Sequence, residues 1–159
     1  MSLFSPTDVS WLPVSPRLAT GRRLAVAVPA AVLAVLALVV AAFTTWWVAF
    51  LALVPLVAAG WAWWVIGRQV HALGYAERDE DLLVRRGVMF RSLVVVPYGR
   101  MQFVDVEAGP LARKLGYAAV QLHTASPSTD AVIPGLVPDE AARLRDRLAR
   151  RGEARLAGL

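Results

Sequence analysis

The chain has 159 residues, of which 57% are hydrophobic, and a formal net charge of +5; this length usually corresponds to one domain. It contains no cysteine, which excludes disulfide scaffolds, thiolate metal sites, cysteine nucleophiles and acylation at cysteine. The positive charge does not indicate a nucleic-acid partner, because cations that flank apolar segments follow from membrane topology alone.

Residues 1–21 carry prolines at positions 6, 13 and 16 and show no hydrophobic period. This composition predicts a loose cytoplasmic N-terminal arm. Phe4, Trp11 and Leu12 could lie on the membrane surface, and a disordered tail is an equally good interpretation of the same residues.

The next segment is uncharged over its whole length, since no Asp, Glu, Lys, Arg or His occurs from Leu24 to Ile66. Residues 24–43 and 48–66 are each roughly twenty residues long, which is the length of an apolar helix that crosses a bilayer. Because only four residues separate them, we predict a two-helix transmembrane hairpin over residues 22–67. A cleaved signal peptide is disfavoured, because a second full span follows at once.

Arginines lie before the first span and after the second, whereas the connection between the spans carries no charge. Because positively charged residues stay in the cytoplasm, both termini of this multi-pass protein of the plasma membrane should be cytoplasmic. Tryptophans at both ends of the second span fit the aromatic belts of a bilayer. The residues predicted to lie at the membrane interface are Arg17, Arg22, Arg23, Trp46, Trp47, Trp61, Trp63, Trp64 and Arg68.

The interior of the spans gives information on packing and on function. Pro29 and Pro55 lie inside them and predict kinks, and alanines at positions 30, 34, 37 and 41 would let the helices approach closely. No ionisable side chain lies inside either span. A proton relay or ion pathway within this hairpin is therefore disfavoured, and so is a transporter that acts alone.

Beyond residue 68 the sequence changes to short apolar runs that are separated by turn signals, which is typical of an antiparallel sandwich or barrel. We predict a cytoplasmic domain over residues 68–152 and a tail over residues 153–159. The predicted strands are 71–78, 81–86, 88–96, 101–107, 117–124 and 130–134, with a bulge in 101–107. Pro138 and the acidic pair after it begin a predicted helix that ends near Gly152 and covers the open end of the barrel.

The predicted sheet domain contains LLVRRG at 82–87, RMQFV at 100–104, GPL at 109–111, LG at 115–116 and IPGL at 133–136. With six short strands and a capping helix next to a membrane hairpin, these motifs resemble the bacterial PH-domain family of membrane-flanked proteins, the YdbS-like group. Met101 stands where the family usually has isoleucine. The matching motif positions are Pro97, Arg100, Gln102, Gly109, Pro110, Leu111, Gly116 and Gly135. The resemblance implies a PH-like fold, in which a bent antiparallel sheet is closed by a C-terminal helix, and it implies no known reaction.

The glycine-bounded stretch GPLARKLG, residues 109–116, has the composition of a phosphate-binding loop. Such loops converge several backbone N–H groups at the N-terminus of a helix, but Pro110 removes one donor and the next segment is a predicted strand. We therefore predict a short connection between two strands. Leu111 and Leu115 should pack inward, and the two cations between them should be solvated.

The two histidines, His71 and His123, have no neighbouring carboxylate at ligand spacing. The segment from His123 to Asp130 contains the residue types of a catalytic triad, yet the SPST within it is typical of a hairpin turn. No nucleophile elbow and no glycine-rich nucleotide fingerprint occurs in the sequence. We therefore expect no catalytic residue, no cofactor and no metal site. The acidic turn at 77–81 weighs against phosphoinositide binding of the eukaryotic PH type.

Some cations of the predicted domain would be attracted to anionic headgroups if the hairpin held them near the inner leaflet. Three of these cations surround Gly87, and two lie in GPLARKLG. The predicted anionic-surface contacts are Arg85, Arg86, Arg91, Arg113 and Lys114.

Three functional hypotheses follow from these features. The leading one is a membrane-anchored PH-like scaffold without catalytic activity, which assembles with a second copy or with a related PH-domain membrane protein through an exposed sheet edge. The first alternative is a domain that senses anionic lipid, and the second is an accessory subunit of a transporter or of a cell-envelope complex.

Overall fold

The computed structural model describes residues 9–125 and 130–156, so that Phe4, Ser126 and Ser128 lie outside the described residues. These residues form two compact units. One unit, which we call the sheet unit, contains the described residues up to Leu18 and those from Gln69 onward. The other, the helical unit, is Ala19–Arg68.

Two long helices and a short 3₁₀ segment carry the uncharged run. Helix α1 spans Arg17–Phe43, a 3₁₀ helix spans Trp46–Ala52, and α2 spans Leu53–Ala72. By length and composition, α1 and the 27 residues Trp46–Ala72 could each cross a membrane. Only 11% of the apolar window of each is buried, whereas a core helix of a soluble protein would be mostly buried.

The helices differ from the predicted spans in their bounds. Both continue beyond the apolar run, because α1 begins at Arg17 and α2 ends at Ala72. Pro29 lies inside α1, as predicted. Pro55 lies in the first turn of α2, three residues after the end of the 3₁₀ helix.

The alanine stripe of α1 marks the covered side of this helix. Ala30 and Ala34 are buried, with 8% and 6% exposure, whereas the neighbouring Val32 and Leu33 are more than half exposed. Small side chains therefore lie where α1 is packed, and the large ones lie where it is open, which is the distribution expected of a helix in lipid.

A four-stranded antiparallel meander forms the first sheet of the sheet unit. Its strands are β1 (Leu12–Pro13), β2 (Gly74–Glu77), β3 (Asp81–Arg86) and β4 (Ser92–Pro97), in that spatial order. The prediction of a loose arm over residues 1–21 was therefore wrong for the described part, because β1 pairs with β2. The membrane hairpin is inserted between these two strands in the sequence.

The second sheet has three antiparallel strands, β5 (Met101–Glu107), β6 (Ala118–Thr124) and β7 (Ala131–Leu136). The register shifts between Met101 and Phe103, so the predicted bulge is present. Along β6, buried residues alternate with half-buried ones, as expected for a strand with one face in the core.

A C-terminal helix closes the sheet unit. Helix α4 spans Pro138–Leu156, and it packs against β5, β6 and the 3₁₀ turn Tyr98–Arg100. Its buried stripe consists of Ala141, Leu144 and Leu148, all fully buried, as the helical spacing predicted. The core therefore lies between α4 and the two sheets.

The segment between β1 and α1 is bonded to the second sheet. The N–H of Ser15 donates to the carbonyl of Gly135 at 2.7 Å, and Leu18 is 4% exposed. Gly135 has φ +78°, and a Cβ at this position would lie 2.7 Å from the Cβ of Leu18. Only glycine satisfies both the backbone conformation and the close approach.

We expect Gly135→Ala to lower the free energy of unfolding by about 1–3 kcal/mol, because alanine would be strained at a positive φ and would collide with Leu18. Gly109→Ala is the matched control, since Gly109 has φ −66° and a Cβ there would meet nothing within 4 Å. Thermal unfolding of the two full-length variants in one mild detergent measures the difference. Equal midpoints for the two variants would contradict this account of Gly135.

Candidate functional site

One end of the four-stranded sheet is where the chain leaves for α1 and returns from α2. The register sets Pro13, the last residue of β1, opposite Gly74, the first residue of β2. Gly74 in turn lies opposite Arg85, near the end of β3. The connection between β3 and β4, residues 87–91, therefore lies at the same end, which we call the exit end of the sheet.

An aromatic contact holds the N-terminal segment at the exit end. The guanidinium of Arg85 lies 4.7 Å from the centroid of the Trp11 ring, a cation–π geometry. A Cβ at Gly74 would lie 3.1 Å from the Nε of Arg85, so that glycine leaves room for this side chain. Trp11, which was assigned to the arm, and Arg85, which was predicted to contact an anionic surface, thus pack against each other.

The predicted strand 88–96 begins only at Ser92, and the residues before it form a loop. Gly87 has φ +93°, and a Cβ at this position would overlap the carbonyl oxygen of Phe90. Glycine therefore permits the tight turn. Met89 and Phe90 are 85% and 86% exposed. The Nε of Arg86 donates to the Oγ of Ser92 at 3.2 Å, and Arg91 is exposed.

The stretch GPLARKLG is a short connection between β5 and β6, as predicted, and it contains one short helix. Helix α3 spans Pro110–Leu115, begins after Gly109 and ends at Gly116, whose φ of +69° is left-handed. Leu111 is 39% exposed and Ala112 is buried, so the prediction that Leu111 packs inward was wrong. Because an α-helix turns by about 100° per residue, the turn brings Ala112 to the covered side in its place.

Helix α3 is bonded to the first residue of α1. The Nη1 of Arg17 donates to the carbonyl of Gly116 at 3.1 Å. Arg113 and Lys114, which are both exposed, lie three and two positions before this contact. The five predicted anionic-surface cations thus lie on β3, on the 87–91 loop and on α3. Of these elements, β3 contacts Trp11 through Arg85, and the end of α3 contacts Arg17.

The motif positions fall into three groups. Gly116 and Gly135 contact the segment that enters α1. Pro97, Arg100 and Gln102 lie where β4 turns into β5, on either side of the buried Tyr98. Gly109, Pro110 and Leu111 begin α3. The motif therefore marks turns and close approaches, and it does not converge on one constellation.

The predicted interface residues of the helical unit form aromatic and cation–π contacts. Trp46 and Trp47 stack at 4.3 Å between the two helices in sequence. The Arg23 guanidinium lies 4.7 Å from the Trp63 ring and that of Arg68 lies 4.8 Å from the Trp64 ring. Because Arg23 precedes the first span and Trp63 ends the second, the two helices are antiparallel. Arg22 is half-buried and Trp61 is 68% exposed.

His123 has a different environment from the one that its sequence neighbours predicted. Its ring stacks on Phe103 at 4.3 Å. The Nδ1 of His123 lies 3.6 Å from Asp130, and the Nε2 lies 4.0 Å from Asp105. No carboxylate lies at ligand spacing from His123 in the sequence, but the folded chain brings these two carboxylates beside it. Within residues 9–125 and 130–156, no group of three or more such side chains could hold a metal ion.

A polar network joins α4 to β2. The hydroxyl of Tyr75 donates to Glu140 at 2.6 Å, and Arg143 donates to both Glu140 and Glu77. The Oε2 of Glu77 also accepts from Arg147 at 3.1 Å. The hydrogen bond from Arg143 lowers the pKa of Glu140 to about 2, and burial followed by the Glu140 hydrogen bond raises the pKa of Tyr75.

Apart from the burial that raises the pKa of Tyr75, the pKa values of these groups are shifted by their hydrogen bonds to one another. Every member named in the network has a hydrogen-bonded partner of opposite charge or suitable polarity. Such mutual pairing is typical of a contact that holds a helix on a sheet. A reactive group would instead be presented to a substrate.

Sequence reasoning missed the most exposed of the large apolar residues described in the sheet unit. Met89 and Phe90 occupy an apolar run that reads as a continuous strand, and only Gly87 before them signalled a turn. Trp11 carried no periodic signal. Local composition could not have revealed this loop. The pairing of β4 with β3 includes no residue before Ser92, and strand pairing cannot be read from composition.

A family model described as bacterial PH domain matches residues 23–152. The chain belongs to the bacterial PH-domain family. The UPF0699 transmembrane protein YdbS of Bacillus subtilis (strain 168) is 37% identical over 76 residues, which are 48% of this chain and 46% of that protein. The chain therefore spans about half the length of this curated relative. No solved structure matches the chain.

The family assignment covers most of the fold. The matched residues begin in α1 and end in α4, so they include the membrane hairpin and most of the sheet unit. The resemblance and the predicted fold class, a membrane hairpin with a PH-like domain, are confirmed. Strand β1 lies before the matched residues.

We expect the pH dependence of stability to report on Glu140. Because its folded-state pKa lies below the unfolded value, the network stabilises the fold above roughly pH 5 and this contribution is lost as the pH falls toward 2. Glu140→Gln should lower stability at neutral pH by about 1 kcal/mol, given the partial exposure of the carboxylate. It should also flatten the loss of stability between about pH 5 and pH 2.5.

Asp139→Asn serves as the control, because Asp139 lies in the same turn and is exposed. Chemical denaturation of the full-length protein at several pH values measures both variants. The interpretation fails if Glu140→Gln and the wild type lose stability in parallel as the solution is acidified.

Proposed function

We propose that the chain is a membrane-anchored PH-like scaffold that assembles, through strand β5, with a second copy or with a related membrane protein. The proposal assigns it no catalytic activity of its own. The observation that carries this proposal is the character of β5 as an edge strand. Within the described part of the chain, β5 has a strand partner, β6, on one side only.

Strand β5 presents apolar side chains on both of its faces. Phe103 is 52% exposed and Val106 is 37% exposed. Because the two residues are three positions apart, their side chains lie on opposite faces of the strand. An added strand could therefore hydrogen-bond to the free edge of β5 and cover both side chains, which is the geometry of β-augmentation. A long edge strand without such a partner would be a risk for aggregation.

The charges of β5 restrict the partner strand. Asp105 and Glu107 share the face of Phe103, and both are exposed. Like charges placed directly opposite each other destabilise a strand pair. The partner strand should therefore carry neutral or basic residues opposite these carboxylates, which favours a pairing that is offset or that joins β5 to a different strand.

The proposal places the sheet unit in the cytoplasm. Arg22 and Arg23 precede the first apolar span and Arg68 follows the second, while the connection between the helices is uncharged. The positive-inside rule then sets both termini at the cytoplasmic face of the plasma membrane.

Single cysteines in this cysteine-free chain test the orientation. We expect Thr45→Cys, between the two helices, to react with a membrane-impermeant maleimide that is added to intact cells. Ala149→Cys, on the exposed side of α4, should react only after the cells are permeabilised. Labelling of Ala149→Cys in intact cells would reverse the proposed orientation.

We expect the full-length protein in mild detergent to form a complex larger than the monomer. Phe103→Asp should weaken that association by about tenfold or more, because it places a charge where an apolar side chain would be covered. Light scattering coupled to gel filtration over a concentration series measures the association.

Val132→Asp is the matched control for this variant. Val132 is an apolar residue of β7, on the other side of the same sheet, and it is 38% exposed. It should leave the association unchanged. The scaffold hypothesis is abandoned if the wild-type protein is strictly monomeric and nothing co-purifies with it, or if both variants weaken the complex equally.

A further inference from the structure

Two large apolar side chains stand in solvent at the tip of the 87–91 loop. Met89 and Phe90 are 85% and 86% exposed, the highest values among the described large apolar residues of the sheet unit. The turn itself depends on Gly87, so that neither side chain is needed to form it. Adjacent exposed apolar residues of this kind mark an interaction site more often than a packing requirement.

The charged residues next to the loop in the sequence are of one sign. Arg86 and Arg91 flank the tip, and no Asp or Glu occurs from Leu82 to Val104. Arg86 is oriented by its hydrogen bond to Ser92. An apolar tip between cations matches the interface of an anionic bilayer, where acyl chains lie beneath phosphate groups.

The position of the loop in the sheet keeps it near a bilayer by covalent connection alone. The loop lies at the exit end, beside Gly74. Only seven residues, 67–73, separate Gly74 from Ile66, the last residue of the uncharged run. Fully extended, they would reach roughly 25 Å, and most of them are helical, which shortens the reach. A tether this short gives the loop a high effective concentration at the lipid surface.

We propose that the 87–91 loop inserts Met89 and Phe90 into the interfacial region of the bilayer that the hairpin crosses, with Arg86 and Arg91 at the lipid phosphates. This contact goes beyond the assembly through β5 and does not depend on it. Lipid is the partner that the observations favour over protein, because the cations, the apolar tip and the short tether all fit an anionic leaflet.

The absence of cysteine allows one probe to be placed in the whole protein. A fluorophore on Met89→Cys is compared with the same fluorophore on Ala149→Cys, in full-length protein reconstituted into vesicles of phosphatidylglycerol and phosphatidylcholine. We expect a quencher attached to the lipid chains to quench the Met89 probe at least threefold more strongly than the Ala149 probe. Aqueous iodide should show the opposite preference.

Further variants separate insertion by the protein from insertion by the dye. Phe90→Ser, made in the Met89→Cys chain, should lower lipid quenching at least twofold, because the dye alone would then have to hold the loop in place. Arg86→Gln with Arg91→Gln should lower it in vesicles that contain phosphatidylglycerol, and high salt should do the same. Equal thermal stability of the variants confirms that they are folded.

Three results would overturn the proposal. In the first, the Met89 probe is as accessible to iodide as the Ala149 probe. In the second, the Met89 probe is shielded from iodide and from the lipid quencher alike, which would indicate a protein contact. In the third, Phe90→Ser leaves lipid quenching unchanged. Repeating the measurement with Phe103→Asp, which weakens assembly, should leave the quenching intact, so that failure of the scaffold and failure of insertion are distinguished.

Discussion

The pairing of Pro13 with Gly74 is the constraint on which the arrangement of the protein depends. These two residues are neighbours in one sheet, yet the whole membrane hairpin lies between them in the sequence. The chain must therefore leave the sheet and return to it at the same end.

This constraint gives a physical reason for two of the three glycines of the family motif. Gly135 accepts the N–H of Ser15 and leaves room for Leu18, and Gly116 accepts the side chain of Arg17. Both have positive φ, so that the backbone turns where the segment entering α1 passes. The second sheet thus holds the same segment that β1 attaches to the first. These two motif glycines therefore have a structural role, although the motif residues do not converge on one site.

The sequence predicted the elements that have a strong local signal and missed those that depend on distant partners. The bounds of β3 and β5 and the bulge beside Phe103 follow from alternation and turn residues. Strand β1 could not be predicted, because two residues have no period and their partner lies beyond the hairpin. The exposure of Met89 and the carboxylates beside His123 likewise arise only from register, since local composition does not fix which strands meet.

The register also changes the interpretation of the acidic turn at 77–81, which in the sequence weighed against phosphoinositide binding. In a meander, the connection between β2 and β3 lies at the opposite end of the sheet from those before and after it. These acids therefore do not face the exit end, and Glu77 and Asp81 are paired with Arg147 and Arg78. The acidic turn does not oppose a lipid contact by the 87–91 loop. The two ends of the sheet therefore differ in charge. At one end lie acidic residues that are paired with arginines, including arginines of α4. At the other end, which is joined to the membrane spans, lie Arg86 and Arg91.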